Sequence, residues 1–187
     1  MVVGTSGSSN NSYRLERAHP AGSLRANCNE IDNAGASHGG IVAASSGSTG
    51  VWRLYAAVFT DHSNRTVYLE GKSGAGAGAS TTSATNMVRV SGDALGASVL
   101  TSSTLIAHVA LWNVALNSSE INQLRYLFPN QVRVGNLVNY WPLTSNTSPE
   151  PDYGSGNLPL TVTGTTFSTD NPNIAGTLVQ QLMGAIG

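Results

Sequence analysis

The sequence predicts an all-β protein, an antiparallel β-sandwich with one short helix. Short runs rich in Val, Thr, Tyr and Trp alternate with clusters of Gly, Ser, Asn and Pro, at intervals that suit strands joined by tight turns. Only 10% of the residues are charged, so hydroxyl and amide side chains supply most of the polar groups, as expected of strands that meet solvent. The 187 residues are enough for one domain with its own core.

The alternation of apolar and polar residues predicts nine strands. The most regular run, 51–60, places Trp52, Leu54, Ala56 and Val58 on one face of a strand, and we assign that face to the core. The nine predicted strands are 13–17, 23–31, 39–43, 51–60, 66–70, 87–91, 105–112, 137–141 and 160–167.

Two connecting segments carry turn or loop signals. The residues DHSN at 61–64 favour a turn, and they predict a hairpin between the strands 51–60 and 66–70. The stretch KSGAGAGASTTS at 72–83 is rich in Gly, Ala and Ser, and we expect an exposed flexible loop there. It lacks the Gly-Lys-Ser/Thr ending of a phosphate-binding loop, so a nucleotide site is not predicted.

The one predicted helix begins after Asn117. This residue can cap the first turn, and Glu120, three residues later, can complete a capping box. Four apolar residues then share one helical face before Pro129 ends the helix. They are Ile121, Leu124, Leu127 and Phe128. A single short helix among many strands favours a sandwich over alternating α/β units.

Charge and composition exclude several classes of partner. The formal net charge is −1, so we expect neither nucleic acid nor a membrane surface as a partner. The opening residues MVVGTSGSSNN lack the basic and apolar regions of a signal peptide, and no apolar run approaches the ~20 residues of a membrane span, so we expect a soluble chain. Cys28 is the only cysteine, which leaves no internal disulfide and predicts a small, half-buried side chain.

The order of motifs over residues 50–172 resembles the laminin G-like, concanavalin A-like jelly roll of lectins and glucanases. Its most specific parts are WNVAL at 112–116 and YWPL at 140–143, and SPEPD and LTVTG follow at 148–152 and 160–164. This combination is similar to a subgroup common among bacteriophage virion proteins and environmental bacterial sequences. The resemblance implies a jelly-roll sandwich.

The chain departs from this family in two places. Family members usually carry an acidic residue where this chain has His108, and they open with an extra pair of strands that is not found before Tyr13. We therefore expect a flexible arm at 1–12, a sandwich with incomplete N-terminal strands at 13–172, and an apolar tail at 173–187. Open sheet edges invite pairing with another chain.

The stretch NEIDNAG at 29–35 holds two of the few carboxylates. Retaining β-glucanases of the same jelly roll carry Glu-x-Asp-x-x-Glu on one strand, where the outer carboxylates act as nucleophile and acid/base. Glu30 and Asp32 match the first two positions, but Ala34 and Gly35 stand where the third would fall, and neither can transfer a proton. We expect a solvated strand end and no catalytic residue, with calcium or sugar contact as the alternative.

Metal sites are not predicted either. The four histidines show no short pairing of the kind that metal ligands use; they are His19, His38, His62 and His108. Three aspartates stand in turn-like contexts where calcium could bind, although a turn former is the simpler expectation and no cofactor is expected. They are Asp61, Asp93 and Asp152.

Function is expected to be structural and non-enzymatic. The resemblance implies a virion protein on the extracellular particle surface, such as a capsid decoration, which binds capsid or tail proteins and further copies of itself through strand edges and its tail. The alternative is a carbohydrate-binding or host-adhesion module on a phage tail or an extracellular bacterial protein, with aromatic side chains stacking on a surface glycan. The residues predicted to contact a partner or ligand are Glu30, Asp32, Trp112, Tyr140, Trp141, Leu178, Leu182 and Met183.

Overall fold

The structure, a computed structural model, forms two compact units. Unit 1 is Met1–Ser103 and unit 2 is Thr104–Gly187. Antiparallel strands form the regular structure of unit 1 and predominate over the described residues as a whole, while the short helical segments Ser118–Gln123, Pro129–Gln131 and Val134–Asn136 lie in unit 2. The all-β prediction is therefore confirmed. Of the helices in the described part of the chain, none has the length and apolar character needed to cross a bilayer. The described residues are 2–4, 10, 12–18, 24–45, 50–77, 87–90 and 104–172.

Unit 1 contains a five-stranded sheet. Its strands lie in the order β4-β3-β2-β1-β8, and every neighbouring pair is antiparallel. The short β1 belongs to the segment that the sequence assigns to a flexible arm; it pairs with β2 on one side and β8 on the other. The strands are β1 (Val2–Gly4), β2 (Ser12–Ala18), β3 (Leu24–Ile31), β4 (Ser37–Ser45) and β8 (Met87–Arg89).

Unit 1 also contains a three-stranded sheet. It consists of β5 (Tyr55–Phe59), β6 (Asn64–Leu69) and β7 (Lys72–Ala77), and the predicted hairpin between 51–60 and 66–70 is confirmed as β5 and β6. The expected loop at 72–83 is wrong for its first six residues, which form β7. The cause is the turn Glu70–Gly71, whose φ values of 51° and 76° suit the two-residue hairpin turn that requires positive φ at both positions.

The core of unit 1 lies between β3 and β6. Ala26, Cys28, Val67 and Leu69 are fully buried, and Leu15 and residues of β5 pack against them. The β5 residues in this contact are Tyr55, Ala57 and Phe59, so the assignment of the Trp52 face to this core was wrong, although Val58 on that face is also buried. The register Ala57↔Val67 places the Tyr55, Ala57 and Phe59 face of β5 against the core. Alternation alone defines two faces of a strand and does not show which of them is buried.

Burial also changes the chemistry of the lone thiol. Cys28 is fully buried rather than half-buried. This burial raises the pKa of the Cys28 thiol to about 11, against the opposing charge of Arg65. The thiol therefore stays protonated and unreactive near neutral pH.

Unit 2 is built on the antiparallel pair β9 (Val109–Trp112) and β10 (Leu137–Trp141), with α1 (Ser118–Gln123) between them in sequence. The predicted capping box is confirmed, since Asn117 accepts from Glu120 N and Glu120 accepts from Asn117 N. The buried apolar residues of this unit are Leu116, Ile121, Leu124, Val132, Leu137, Tyr140 and Trp141.

Two strand predictions in unit 2 need correction. Residues 160–167 do not form a strand; the segment makes only the isolated bridge Glu150↔Leu160. The strand predicted from residue 105 begins at Val109, because His108 has a φ of 55°, which interrupts extended backbone.

Candidate functional site

The two candidate carboxylates lie together at the end of β3. Strand alternation points Glu30 to the same face as Ala26 and Cys28, and Asp32 follows one step further. Glu30 is 0% exposed and Asp32 is 8% exposed. The prediction of a solvated strand end was therefore wrong for Glu30, which lies inside unit 1.

Glu30 is held by side chains from the β5–β6 hairpin. Its Oε2 lies 3.3 Å from Nη2 of Arg65, whose side chain is also 0% exposed. Its Oε1 lies 3.0 Å from Nδ1 of His62, and Arg65 donates to the His62 carbonyl at 3.0 Å. A buried carboxylate requires such charged and hydrogen-bonded partners. Glu30 thus ties the hairpin turn to the end of β3.

Asp32 organises the next turn, between β3 and β4. Its Oδ1 accepts hydrogen bonds from Ala34 N and Ala36 N, both at 2.9 Å, and its Oδ2 lies 2.9 Å from Nε2 of His38. The His38 contact and these backbone bonds hold the pKa of Asp32 below its ordinary value, so the carboxylate is ionised at neutral pH. At Gly35 the φ of 86° shows that the chain has already left the strand.

This geometry suits structure rather than glycoside cleavage. An acid/base residue must reach a substrate proton, whereas both oxygens of Glu30 already contact protein groups and the side chain meets no solvent. The third carboxylate of the glucanase motif is replaced by turn backbone at 34–35. Within the described residues, no group of three or more His, Cys, Asp or Glu is placed to hold a metal ion.

Sequence reasoning missed the two histidine–carboxylate pairs. His62 is 32 positions from Glu30, and nothing local to either residue signals the contact. The contact of His38 with Asp32 could have been found, because His38 lies directly opposite Glu30 in the β3–β4 pair, and Asp32 is the next residue along on the same side of β3 as Glu30. That register follows once Asp32 is recognised as the start of a tight turn rather than as a strand residue.

The three candidate sugar-stacking residues in unit 2 are engaged in packing. Trp141 is 0% exposed and its Nε1 donates to Leu158 O at 2.8 Å. Trp112 is half-buried and donates to Val132 O at 3.0 Å. Tyr140 is 5% exposed. The structure therefore does not present these rings as a joint platform.

Tyr140 belongs to a row of rings that ends at the surface. Its hydroxyl is hydrogen-bonded to Nδ1 of His108 at 2.9 Å, and the His108 ring lies 5.2 Å from that of Phe128. Burial raises the pKa of Tyr140 to about 12 and lowers the pKa of His108, so both groups are neutral near pH 7. On the other side, the ring of Tyr153 lies 6.3 Å away and is 61% exposed.

Asp152 pins the segment after β10 to that strand. Its Oδ1 accepts from Tyr140 N and Gly154 N, and its Oδ2 accepts from Asn139 Nδ2 and Leu158 N. Burial opposes ionisation, but the bonds from Leu158, Tyr140, Gly154 and Asn139 outweigh it and keep the pKa of Asp152 below its ordinary value. Each oxygen already takes two donors, so Asp152 is a turn former, as predicted.

The remaining predicted residues are Asp61 and a group that the structure does not describe. Asp61 accepts from Ser63 N and from the backbone and side-chain amides of Asn64, so it too forms a turn, as predicted. Other residues lie outside the described part of the chain: Asp93, His19, Leu178, Leu182 and Met183.

Comparison of the chain with protein-family models, with curated proteins and with solved structures gives no match. The resemblance to laminin G-like domains therefore stays a prediction.

Proposed function

We propose that the chain is a non-enzymatic structural protein of a virus particle, located at the particle surface and assembled through its strand edges and its C-terminal tail. The jelly-roll sandwich and the phage setting are part of this proposal and rest on the motif resemblance. The expected partners are capsid or tail proteins and further copies of the chain. The role requires neither a cofactor nor a catalytic group.

The observation that carries the proposal is the number of strand edges left open among the described residues. The five-stranded sheet ends in β8 and the three-stranded sheet ends in β5, and β9 pairs only with β10; the other two end strands, β4 and β7, pack against each other. Exposed edges present backbone donors and acceptors that another chain can pair with. The burial of Glu30 and the turn-forming bonds of Asp32 support the non-enzymatic part, since neither carboxylate faces a substrate.

A second candidate, a carbohydrate-binding or host-adhesion module, is supported by Tyr153. Its ring is 61% exposed beside the buried Tyr140, and an exposed aromatic face suits a pyranose ring. A single exposed ring is a small platform, which is why we rank this function second.

Immunogold labelling tests the first proposal. Antibodies raised against the purified 187-residue chain are applied to virus particles purified from the sample that carries the gene. We expect gold on the particle exterior. Recovery of the protein only from particle-free fractions would contradict the proposal.

A glycan array separates the second candidate. Structural decoration requires no sugar affinity, so we expect no bound glycan. A glycan whose binding is lost in Tyr153→Ala and kept in Tyr126→Ala, a tyrosine that is 47% exposed, would favour adhesion instead.

A further inference from the structure

Among the described residues of unit 2, the edge of β9 that faces away from β10 is the most sharply defined open edge. The order of the two-stranded sheet gives β9 no other partner among the described strands. The opposite edge of the pair, on β10, is covered by residues 153–156: Tyr153 N donates to Tyr140 O at 2.8 Å, Ser155 N to Leu137 O at 3.2 Å and Gly156 N to Val138 O at 2.6 Å. Within residues 104–172, one edge of this pair is thus closed by the chain itself and the other is not.

The hydrogen-bond pattern shows which groups of β9 point outward. Tyr140 donates to Asp152 and accepts from Tyr153, so its N–H and C=O face away from β9. Its register partner on β9 is Ala110. Two directly opposite residues of an antiparallel pair either both point their backbone N–H and C=O groups toward each other or both point them away. The N–H and C=O groups of Ala110 and, two residues on, of Trp112 therefore point to the open edge.

This edge lacks the charged residues that prevent exposed edge strands from pairing with other chains. Residues 104–116, TLIAHVALWNVAL, contain no Asp, Glu, Lys or Arg and no Pro, the residue types that usually block edge pairing. Two apolar side chains flank the strand and are exposed, Leu105 at 43% and Val114 at 37%. Two copies of the segment can approach each other without repulsion between like charges.

We propose that β9 pairs antiparallel with β9 of a second copy of this chain, about a two-fold axis at Leu111. This register satisfies the outward groups of both copies, because Ala110 of each copy exchanges two hydrogen bonds with Trp112 of the other. It forms a continuous four-stranded sheet, β10-β9-β9-β10. The inference rests on the proposed function for its biological purpose, since it identifies one edge through which the structural protein assembles.

Site-specific crosslinking of the purified full-length chain tests this pairing. In the proposed register the two Ala110 residues are diagonal neighbours, about 7–8 Å apart, so Ala110→Cys should be joined by a bismaleimide with a spacer of about 8 Å. The matched control is Ala115→Cys, an exposed alanine beyond the end of β9, which should not crosslink. The parent chain should not react either, because Cys28 is buried and its pKa is raised to about 11.

A second variant checks the register. Leu111→Cys lies on the axis, in a pair that exchanges no hydrogen bonds and whose Cα atoms are about 4.5 Å apart, a distance at which a disulfide forms directly on oxidation. Ala110→Cys should form no direct disulfide, since its separation exceeds the disulfide range. With only four residues in β9, we expect a weak dimer whose crosslinked fraction rises with protein concentration.

Three outcomes would overturn the inference. The first is equal crosslinking of the Ala110→Cys and Ala115→Cys variants. The second is a monomer in which the Ala110→Cys thiol is accessible to a monofunctional maleimide yet does not crosslink. The third is a thiol that resists the maleimide without crosslinking, which would mean that the chain covers the edge itself. Specific crosslinking without labelling of virus particles would contradict only the proposed function, and labelled particles without crosslinking would contradict only this inference.

Discussion

Removing the guanidinium of Arg65 should destabilise unit 1 strongly. Arg65 and Glu30 are both fully buried, and Nη2 lies 3.3 Å from Oε2. At that separation and an effective dielectric constant of about 20, the attraction between unit charges is about 5 kcal/mol. Measured losses on removing one partner of a buried pair are about 3–5 kcal/mol, because the remaining charge stays buried without compensation. Because His62 still contacts Glu30 Oε1 at 3.0 Å, we expect Arg65→Met to lower the free energy of unfolding by about 3 kcal/mol, the lower end of that range.

Removing both charges should recover most of this loss. In Glu30→Leu/Arg65→Met no uncompensated charge remains, and apolar replacement of a buried pair is often neutral or stabilising. We therefore expect the double variant to be more stable than Arg65→Met alone, with a coupling energy above about 2 kcal/mol. Arg25→Met, at an exposed arginine on β3, is the control and should change stability by less than about 0.5 kcal/mol.

Urea denaturation followed by far-ultraviolet circular dichroism measures these energies, and hydrogen exchange of the β3 and β6 amides reports on unit 1 itself. A loss below about 1 kcal/mol in Arg65→Met would refute the assigned role of the pair. Additive losses in the double variant would refute it as well, because independent contributions would mean that the two charges do not interact.

Two further predictions concern the turns. The pKa of Asp32 is lower in the folded chain than its ordinary value, so the unfolded state binds more protons as the pH falls. Asp32 therefore stabilises the fold fully above its unfolded-state pKa, and this contribution is lost as the pH drops through its folded-state pKa. The urea midpoint of Asp32→Asn should therefore fall less on acidification from pH 6 to pH 3 than that of the parent chain; equal slopes would contradict this. In unit 2, a Cβ on Gly154 would lie 2.2 Å from Val138 O, so Gly154→Ala should cost about 1–3 kcal/mol. Gly135→Ala, with nothing within 4 Å, is the control in the same thermal melt, and equal melting temperatures would contradict the prediction.

Local signals predicted the parts of the fold that depend on neighbours in sequence. The cap of α1 was predicted because Asn117 and Glu120 are three residues apart and bond to each other's backbone. The β5–β6 hairpin was predicted from the turn-forming residues at 61–64, and in the structure Asp61 accepts from the amides two and three residues later. Strand β7 was missed, since its KSGAGA sequence has low strand propensity and is held by its pairing with β6.

The candidate site shows the same division. The residue types at 29–35 were enough to argue against a glucanase triad, because Ala34 and Gly35 cannot replace a carboxylate. They did not indicate that Glu30 would be buried, since burial depends on Arg65 and His62, which are more than thirty positions away. A carboxylate in a polar stretch of sequence can be buried when it pairs with a cation that is distant in the chain.

The sequence by itself determined the all-β class, the capping box that starts α1, the absence of a catalytic third carboxylate and the lack of charge along 104–116. These properties follow from composition, alternation and contacts between residues a few positions apart. Only the tertiary structure decided which face of β5 meets the core of unit 1, which distant groups compensate Glu30, and which edge of the β9–β10 pair is covered by residues 153–156. Each of these depends on pairing between segments far apart in the chain, and such pairing is selected by the packing of the whole unit rather than by local propensity.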